Sequence, residues 1–380
     1  MEKFIYISSQ TLERADNGIS IPGIQRVDFL KREGVSLKIL DIGENRCNII
    51  LAIFKYFFFP RECCRSSITR SIIQITRTIN KKCINNLILD TDYMVICAIY
   101  FSIVYGDKVR ISFIPNDYPA LVVASQIKYG QYDNYIQWAL LKFEYIKTKF
   151  LWKIASSMKI KFAFVNRADI RFMKSHSTRN SDATYYLVPN GTNNLPNLHE
   201  HQPFDDEYDV HLLHVGSIER GQKRYLENFI DNIFLKSDQT KFALHCVGFS
   251  VDKNFRAKYK KYKNINIYEN VSDLKAIYMK CDVVINPAKK LAGQFNKTME
   301  AMAHGKVVIG YKMSFYALSG TISQKNCIKV RTDSEFLETI DKFDLKQAKQ
   351  IGKEAQKLMR NDYDWKTTLV TFKHFYTCKD

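Results

Sequence analysis

Residues 293–309 read GQFNKTMEAMAHGKVVI, a glycine-marked loop, a short helix ended by a second glycine, and a β-branched strand. Gly293 lets the backbone come close to a ligand, and the free N–H groups of the helix start face whatever lies in front. Lys297 and Glu300 lie three residues apart in the first turn and therefore share a face. This arrangement suits a diphosphate at the helix N-terminus and a carboxylate that binds a sugar or ribose hydroxyl. An α/β domain also forms such a unit without any ligand.

Strand and helix patterns alternate along the rest of the chain, which is typical of doubly wound parallel sheets. A strand is predicted from Lys3 and a helix from about Pro22 to Lys31. In the second half, a strand is predicted over 209–215, and a helix over 272–280 with Ser272 as its N-cap. Between the halves, 191–206 contains Asn, Pro, Gly, His and acidic residues with little periodicity, so it is the predicted linker.

Four elements, in this order and spacing, resemble those of GT-B glycosyltransferases, especially family four, the glycosyl transferases group 1. They are LVPNG at 187–191, VGS at 215–217, DVVINP at 282–287 and the donor-binding segment NKTMEAMAHG at 296–305. The first resembles the element that closes the N-terminal domain, and the second resembles the first strand and glycine of the C-terminal domain. The third resembles the strand that precedes the donor loop.

The resemblance implies an α/β fold of two Rossmann-like doubly wound domains, with the active site in the interdomain cleft. Residues 1–200 would form the acceptor domain and 207–358 the nucleotide-sugar-binding domain, and a helix near 360–380 would pack back on the first. The implied activity is that of a retaining, metal-independent hexosyltransferase. It would move a sugar from a nucleotide-sugar donor to a saccharide or lipid-linked saccharide acceptor in cell-surface polysaccharide biosynthesis.

The resemblance also implies roles for residues of the C-terminal domain. Lys297 would stabilise the leaving diphosphate and Glu300 would hold ribose hydroxyls and take part in catalysis, although each also fits an ordinary solvated helix residue. In the loop after the first strand, Ser217 stands where the family usually has Arg, so Arg220 and Lys223 could supply the charge, or could simply be solvated. The full set of implied donor-binding residues is Gly216, Arg220, Lys223, Gly293, Gln294, Asn296, Lys297 and Glu300.

In the N-terminal domain, Asn17-Gly18 resembles the loop that approaches the donor phosphate and the acceptor, and it also fits a tight turn. Asp117 could bind an acceptor hydroxyl or act as a base, or could be a structural turn residue. Two departures matter: Ala292 replaces the first family glutamate, and Pro115 takes the place of a histidine. They leave open a catalytically degenerate GT-B protein that binds a saccharide or a partner.

The chain is basic, with 57 basic and 39 acidic residues and a net charge of +18 over 380 residues. Such a surface favours anionic partners. Because no nucleic-acid-binding motif is present, a basic nucleic-acid-binding α/β protein is the less favoured alternative, and no nucleic-acid partner is expected. Aromatic residues and lysines interleave over 138–153, as in interfacial helices, although a core-facing helix explains the same pattern. These features predict peripheral contact with an anionic membrane.

No apolar run is long enough to span a bilayer, and the first residues begin a strand without a signal-peptide pattern. Nine cysteines at irregular spacing indicate neither a disulfide framework nor a zinc site, which favours a reducing cytoplasmic location. With the predicted membrane contact, this location would be peripheral on the inner face of the plasma membrane. The eight histidines show no metal-ligand spacing. We therefore expect no metal and no cofactor apart from the nucleotide-sugar co-substrate.

Overall fold

The computed structural model describes residues 3–8, 20–41, 55–56, 58–64, 68–91, 94–115, 117–130, 132, 134–177, 181–193, 204, 207–289 and 295–378. These residues form two compact units. Unit 1 contains the described residues of 3–191 together with 365–378. Unit 2 contains those of 192–289 and 295–364.

In unit 1, strands and helices alternate as the sequence predicted. The elements are β1 (Lys3–Ser8), α1 (Ser20–Arg32), β2 (Ser36–Asp41), α2 (Arg61–Cys64), α3 (Ile68–Lys82), β3 (Asn86–Asp90), α4 (Val95–Tyr105), β4 (Arg110–Ile114), α5 (Pro119–Lys128), α6 (Tyr135–Ser156), β5 (Ile160–Phe164), α7 (Arg167–His176), β6 (Thr184–Leu187) and α14 (Trp365–Thr377).

The sheet of unit 1 has six parallel strands in the order β2-β1-β3-β4-β5-β6. Its inner strands are almost wholly buried, since helices cover both faces and the strand sequences are continuous apolar runs. The chain reverses its direction of travel across the sheet between β1 and β3, which makes this the topological switch point.

The last helix of the described chain completes the core of unit 1. Trp365, Leu369 and Phe372 of α14 are buried in the same apolar cluster as Phe4 of β1. Gly191 lies against this helix so closely that a Cβ atom there would be 2.6 Å from the Trp365 ring. Only glycine fits at that point without displacing the helix.

In unit 2 the elements are β7 (Val210–Val215), α8 (Arg220–Asn232), β8 (Phe242–Gly248), α9 (Lys253–Tyr259), β9 (Ile265–Glu269), α10 (Leu274–Lys280), β10 (Val283–Asn286), α11 (Asn296–Ala303), β11 (Val307–Tyr311), β12 (Ile328–Val330), α12 (Asp333–Asp341) and α13 (Leu345–Asp362). The parallel sheet has the order β12-β11-β10-β7-β8-β9. This is the Rossmann order, with its switch point between β7 and β10. The predicted α/β class with two doubly wound sheets is confirmed.

One local prediction was wrong. The N-cap of α10 is Asp273 and not Ser272, because the Asp273 carboxylate accepts a hydrogen bond from the Ala276 N–H at 3.0 Å. For helix α6, where the sequence left an interfacial and a core-facing side-chain pattern open, the ring of Trp152 faces the core. It is buried against Phe113 and Tyr118, at ring-centroid distances of 5.6 and 5.1 Å.

Candidate functional site

The chain that leaves β10 is fixed before it reaches α11. The Asn286 side chain donates to the Thr298 hydroxyl at 2.8 Å and accepts from the Ala288 N–H at 3.2 Å. The buried Ser314 hydroxyl donates to the carbonyl oxygens of Asn286 and Ala288, at 3.1 and 3.0 Å. These bonds join the end of the strand to the first turn of α11 and set where that turn begins.

The first turn of α11 carries the predicted charged pair. The Lys297 Nζ lies 2.8 Å from the Glu300 Oε2, and the two side chains are 42% and 34% exposed. Among the described contacts, the N-cap residue Phe295 makes no side-chain capping bond. A lysine at this position adds positive charge to the positive end of the helix dipole, and Glu300 offsets it. Asn296, Lys297 and Glu300 are therefore together at an accessible helix start.

The other end of α11 is held rigidly. Gly305 adopts a left-handed φ of 71°. Its N–H bonds the Met302 carbonyl at 3.0 Å, and the Lys306 N–H bonds the Ala301 carbonyl at 3.0 Å. This pair of bonds is a Schellman motif, which favours glycine at its left-handed position.

His304, the C-cap residue of α11, also contacts the helix through its side chain. The His304 Nδ1 donates to the Glu300 carbonyl oxygen at 2.8 Å, and its ring stacks on Tyr278 with centroids 4.5 Å apart. Burial lowers the pKa of His304, which favours the neutral imidazole. Burial also raises the pKa of Tyr278, and the nearby Glu300 charge adds to the shift.

Gly216 lies at the same edge of the sheet as the start of α11. It follows β7, and β7 pairs directly with β10 through Val283 and Leu212. The Gly216 N–H bonds the Val247 carbonyl at 3.0 Å, and a Cβ atom on Gly248 would lie 3.0 Å from the Gly216 carbonyl oxygen. The carboxyl ends of β7 and β10 thus meet at the switch point, the place where open α/β sheets bind ligands.

Lys223 is already engaged in a contact between two helices. Its Nζ lies 3.2 Å from the Asp252 Oδ1, and Asp252 caps α9 by accepting bonds from the N–H groups of Asn254 and Phe255 at 3.0 Å. The Phe255 N–H and the Lys223 ammonium group hold the pKa of Asp252 below its ordinary value. In unit 2, this pair fastens α8 to α9.

Other predicted residues are dispersed or lie outside the described part. Asn17, Gly18, Gly293, Gln294 and Ala292 fall outside the described residues, as does the side chain of Arg220. Asp117 is half-buried in unit 1, between β4 and α5, and Pro115 is buried at the end of β4. Asp117 therefore lies in a different unit from Lys297 and Glu300.

Sequence reasoning missed a buried polar network at the switch point of unit 1. The Arg26 guanidinium donates to the Asp90 Oδ2 and to the Asn190 Oδ1, each at 3.0 Å. The Tyr6 hydroxyl also donates to Asp90. Burial raises the pKa of Tyr6 well above its ordinary value, and the Asp90 charge adds to the shift. A signal was available, because Arg26 falls on the same helix face as the buried Leu30.

A second missed cluster lies at the start of the donor-loop region in unit 2. The Lys289 Nζ is 2.7 Å from the Asp333 Oδ1, and the Tyr311 hydroxyl donates to the same carboxylate. Although burial opposes it, hydrogen bonds from Lys289 and Tyr311 keep the pKa of Asp333 below its ordinary value. The cluster thus holds Lys289 in place, directly before residues 290–294. Within the described residues, no group of three His, Cys, Asp or Glu side chains is placed to hold a metal ion.

Comparisons with known proteins agree with the fold described above. The family model described as "Glycosyl transferases group 1" matches residues 209–342, within unit 2. HepE from Anabaena, solved with UDP and glucose, superimposes with a TM-score of 0.65 at 9% identity, over 98% of this chain and 99% of that one. A glycosyltransferase from Rickettsia africae gives a TM-score of 0.60 at 16% identity, covering 99% and 97%. The lipopolysaccharide outer core galactosyltransferase WaaB, in its apo form, gives 0.64 at 11% identity, covering 98% of each chain.

No curated protein matches the chain at the sequence level. At these low identities the structural likeness establishes the fold, while the family model identifies the domain in unit 2. The chain thus has the fold of GT-B glycosyltransferases, and its residues 209–342, in unit 2, match the glycosyl transferases group 1 family model.

Proposed function

We propose that this glycosyltransferase binds the diphosphate of a nucleotide sugar at the N-terminus of α11, with Lys297 on the phosphates and Glu300 on ribose hydroxyls. The observation that carries the proposal is the half-exposed Lys297–Glu300 pair, 2.8 Å apart at the end of the β10 connection. An anion in front of the helix start satisfies both the dipole and the lysine. In transfer, the same charges stabilise the diphosphate as its bond to the sugar breaks.

Magnitudes favour exchange of the ion pair for a ligand. An exposed ion pair contributes about 0–1 kcal/mol, whereas a hydrogen bond to a charged group contributes about 1.5–3 kcal/mol. A diphosphate can therefore draw Lys297 away from Glu300 at small cost. Glu300 is then available to accept hydrogen bonds from sugar hydroxyls. The pair holds both side chains near the helix start until the donor arrives.

The donor to test first is a uridine nucleotide sugar, since HepE was solved with UDP and with UDP-glucose. We propose a saccharide or lipid-linked saccharide acceptor in cell-surface polysaccharide biosynthesis, consistent with the activity named for WaaB. We propose that Asp117 binds an acceptor hydroxyl. We also propose that transfer retains the anomeric configuration of the sugar and takes place in the cytoplasm. We assign no metal or resident cofactor to the reaction, so chelation with EDTA should leave the transfer rate unchanged.

The binding test is thermal stabilisation by a panel of nucleoside diphosphates, since a ligand of the folded state raises the melting temperature. At least one should stabilise the wild type. Lys297→Ala should weaken the affinity about ten- to a hundredfold, the equivalent of one charge-assisted bond. Lys342→Ala is the matched control, because Lys342 forms an exposed ion pair with Glu338 on another helix of unit 2, at 2.7 Å.

Equal affinity in the Lys297→Ala and Lys342→Ala variants would remove Lys297 from the proposed site. Nucleotide binding without transfer to any saccharide, and without donor hydrolysis, would favour a protein that binds the donor and does not catalyse.

A further inference from the structure

Helices α3, α4 and α6 lie on one face of the sheet in unit 1. The chain steps in one direction across the sheet from β2 to β5, and right-handed crossovers then place the connecting helices on a single face. Helix α4 contacts both α3 and α6, whereas α1 contacts α14. We call the solvent side of α3, α4 and α6 the helical face.

Helix α6 presents two different apolar sides. One side, which includes Thr148, Trp152 and Ala155, is buried in unit 1. A second row is exposed and recurs every three or four residues, so it forms one stripe along the helix. This apolar stripe consists of Ile136, Leu140, Phe143, Ile146 and Phe150, which are between 40% and 70% exposed.

The neighbouring helices extend the apolar character of the face. Helix α4 has the sequence VICAIYFSIVY, without a charged residue, and its Ile103 and Val104 are 67% and 52% exposed. On α3, Ile73 is also exposed. Single exposed apolar side chains are ordinary on protein surfaces, but a stripe of five on α6, beside exposed apolar side chains of two neighbouring helices, marks an interaction site.

Basic side chains accompany the apolar ones. Arg70 and Arg77 are exposed on α3, and Lys142 and Lys153 are exposed on α6. Helices α3 and α4 contain no acidic residue. The single acidic residue of α6, Glu144, is buried and lies 3.0 Å from the buried Lys147.

The exposed charges contributed by these three helices are therefore all positive. The Lys142 ammonium group also lies 5.5 Å from the centre of the Trp138 ring, an amphipathic pairing suited to an interface between apolar and aqueous phases. The charge of the whole chain, +18, has the same sign.

We infer that the helical face docks on the surface of an anionic lipid bilayer. A bilayer offers acyl chains for the apolar stripe and negative headgroups for the flanking lysines and arginines. A second copy of the chain would bring like charges together, and nucleic acid would leave Ile, Leu and Val side chains uncovered. Since no helix among the described residues is long and apolar enough to cross a membrane, the contact is interfacial.

The first test is co-sedimentation of the full chain with vesicles made of equal amounts of phosphatidylglycerol and phosphatidylcholine. The wild type should sediment with them at low salt, be released by high salt, and not bind vesicles of phosphatidylcholine alone. The double variant Ile146→Ser, Phe150→Ser should bind at least tenfold more weakly, because both side chains lose the favourable burial among acyl chains.

The matched control is Val370→Ser, Phe249→Ser. These side chains are 63% and 77% exposed, similar to Ile146 and Phe150, but lie on α14 and in unit 2. The control should bind vesicles like the wild type. Because all four positions are exposed, the melting temperatures of both variants should stay close to that of the wild type, which shows that the loss of binding is not a loss of folding.

A second pair of variants tests the charges. Replacing the exposed Lys142 and Lys153 of α6, together with the half-buried Lys149 on the same helix, with Gln should weaken vesicle binding about a hundredfold, since each basic residue near an anionic leaflet contributes about 1 kcal/mol. Replacing the exposed Lys346, Lys353 and Lys357 of α13 with Gln changes the net charge equally, but in unit 2. That control should retain most of its binding.

Equal loss in the two lysine variants would mean that net charge alone attracts the protein and would overturn the assigned face. Absence of vesicle binding, or equal binding by the apolar-stripe variant and its control, would overturn the proposal altogether. The proposal would also be overturned if the wild type self-associated or bound RNA and the Ile146→Ser, Phe150→Ser change abolished that interaction. Each of these outcomes leaves nucleotide binding by Lys297 to be decided by its own test.

Discussion

At the scale of single residues, the buried Arg26 has the largest predicted effect on stability. Its guanidinium is 2% exposed and holds both Asp90 and Asn190. Removing one partner of a buried ion pair leaves an uncompensated charge, which costs about 3–5 kcal/mol. Arg26→Met should therefore lower the free energy of unfolding of unit 1 by that amount, measured by urea denaturation.

The control for this prediction is Arg256→Met. Arg256 forms a half-exposed pair with Glu269 at 3.1 Å, and such pairs contribute about 0–1 kcal/mol. If both substitutions lower the free energy of unfolding equally, the buried network of unit 1 stabilises the fold no more than a half-exposed ion pair does.

A second residue-scale prediction concerns Glu300. Glutamine keeps the shape of the side chain but not the charge that accepts sugar hydroxyls strongly. Glu300→Gln should therefore keep the fold and lose most transfer activity, measured with a uridine nucleotide sugar. Glu338→Gln removes a carboxylate from another intrahelical Lys–Glu pair of unit 2 and should transfer at the wild-type rate. A fully active Glu300→Gln enzyme would make Glu300 an ordinary helix residue.

At the scale of elements, the sequence located α11 closely and misplaced other features for physical reasons. A helix over 297–303 was readable because glycines mark both its ends, and the observed helix is Asn296–Ala303. The cap of α10 was missed because Ser272 and Asp273 both favour N-cap positions. The pattern could not tell which of Phe150 and Trp152 faces the core, since they lie on opposite sides of α6 and both sides carry apolar residues.

The partners of the charged residues were beyond a local reading. Lys223 pairs with Asp252, Lys289 with Asp333, and Arg26 with Asp90, across separations of dozens of residues. Periodicity places a side chain on a helix face, but only the packed sheet brings distant carboxylates to it. Lys223, which was expected to supply charge to the loop, therefore pairs with Asp252, a structural partner that no motif indicates.

The element-scale prediction concerns the packing of α13 on the end of α11. A Cβ atom on Gly352 would lie 2.0 Å from the Gly305 carbonyl oxygen, so alanine forces the two elements apart. Alanine favours helices over glycine by about 1 kcal/mol, but overpacking against backbone costs about 1–3 kcal/mol or more.

Gly352→Ala should consequently lower the melting temperature and weaken nucleotide binding through displacement of α11. The exposed neighbour Lys353 provides the control, as Lys353→Ala should change neither quantity. A stabilised Gly352→Ala protein would show that helix propensity outweighs the contact.

At the scale of the whole molecule, alternation of strands and helices was enough to predict two doubly wound sheets, because it depends on the entire chain and tolerates local errors. Stability against pH depends instead on a few buried groups. His245 is 1% exposed, and its Nε2 lies 3.0 Å from the His211 Nδ1. Burial lowers the pKa of His245 to about 3, and His211 adds to the shift.

The unfolded chain, with an ordinary histidine pKa near 6.5, therefore binds a proton that the folded chain does not bind between pH 6.5 and about 3. The free energy of unfolding of unit 2 should fall by about 1.4 kcal/mol for each pH unit below 6.5 from this group alone. His245→Phe should make the pH dependence shallower by that amount, measured by urea denaturation between pH 7 and pH 5. An unchanged slope would show that His245 is protonated in the folded protein.

The return of α14 to unit 1 sets an order of events during synthesis. Unit 2 is closed within residues 192–364, but the apolar cluster of unit 1 needs Trp365, Leu369 and Phe372. On the ribosome, the part of unit 1 that is made first cannot complete its core until the segment that follows unit 2 has been made. A nascent chain stalled with residue 364 just outside the exit tunnel should hence resist protease in unit 2 while unit 1 is still digested. Protection in the reverse order would show that unit 1 folds without α14. Until α14 is made, the apolar surface of unit 1 stays exposed through the translation of about half the chain, a period in which chaperones can bind it.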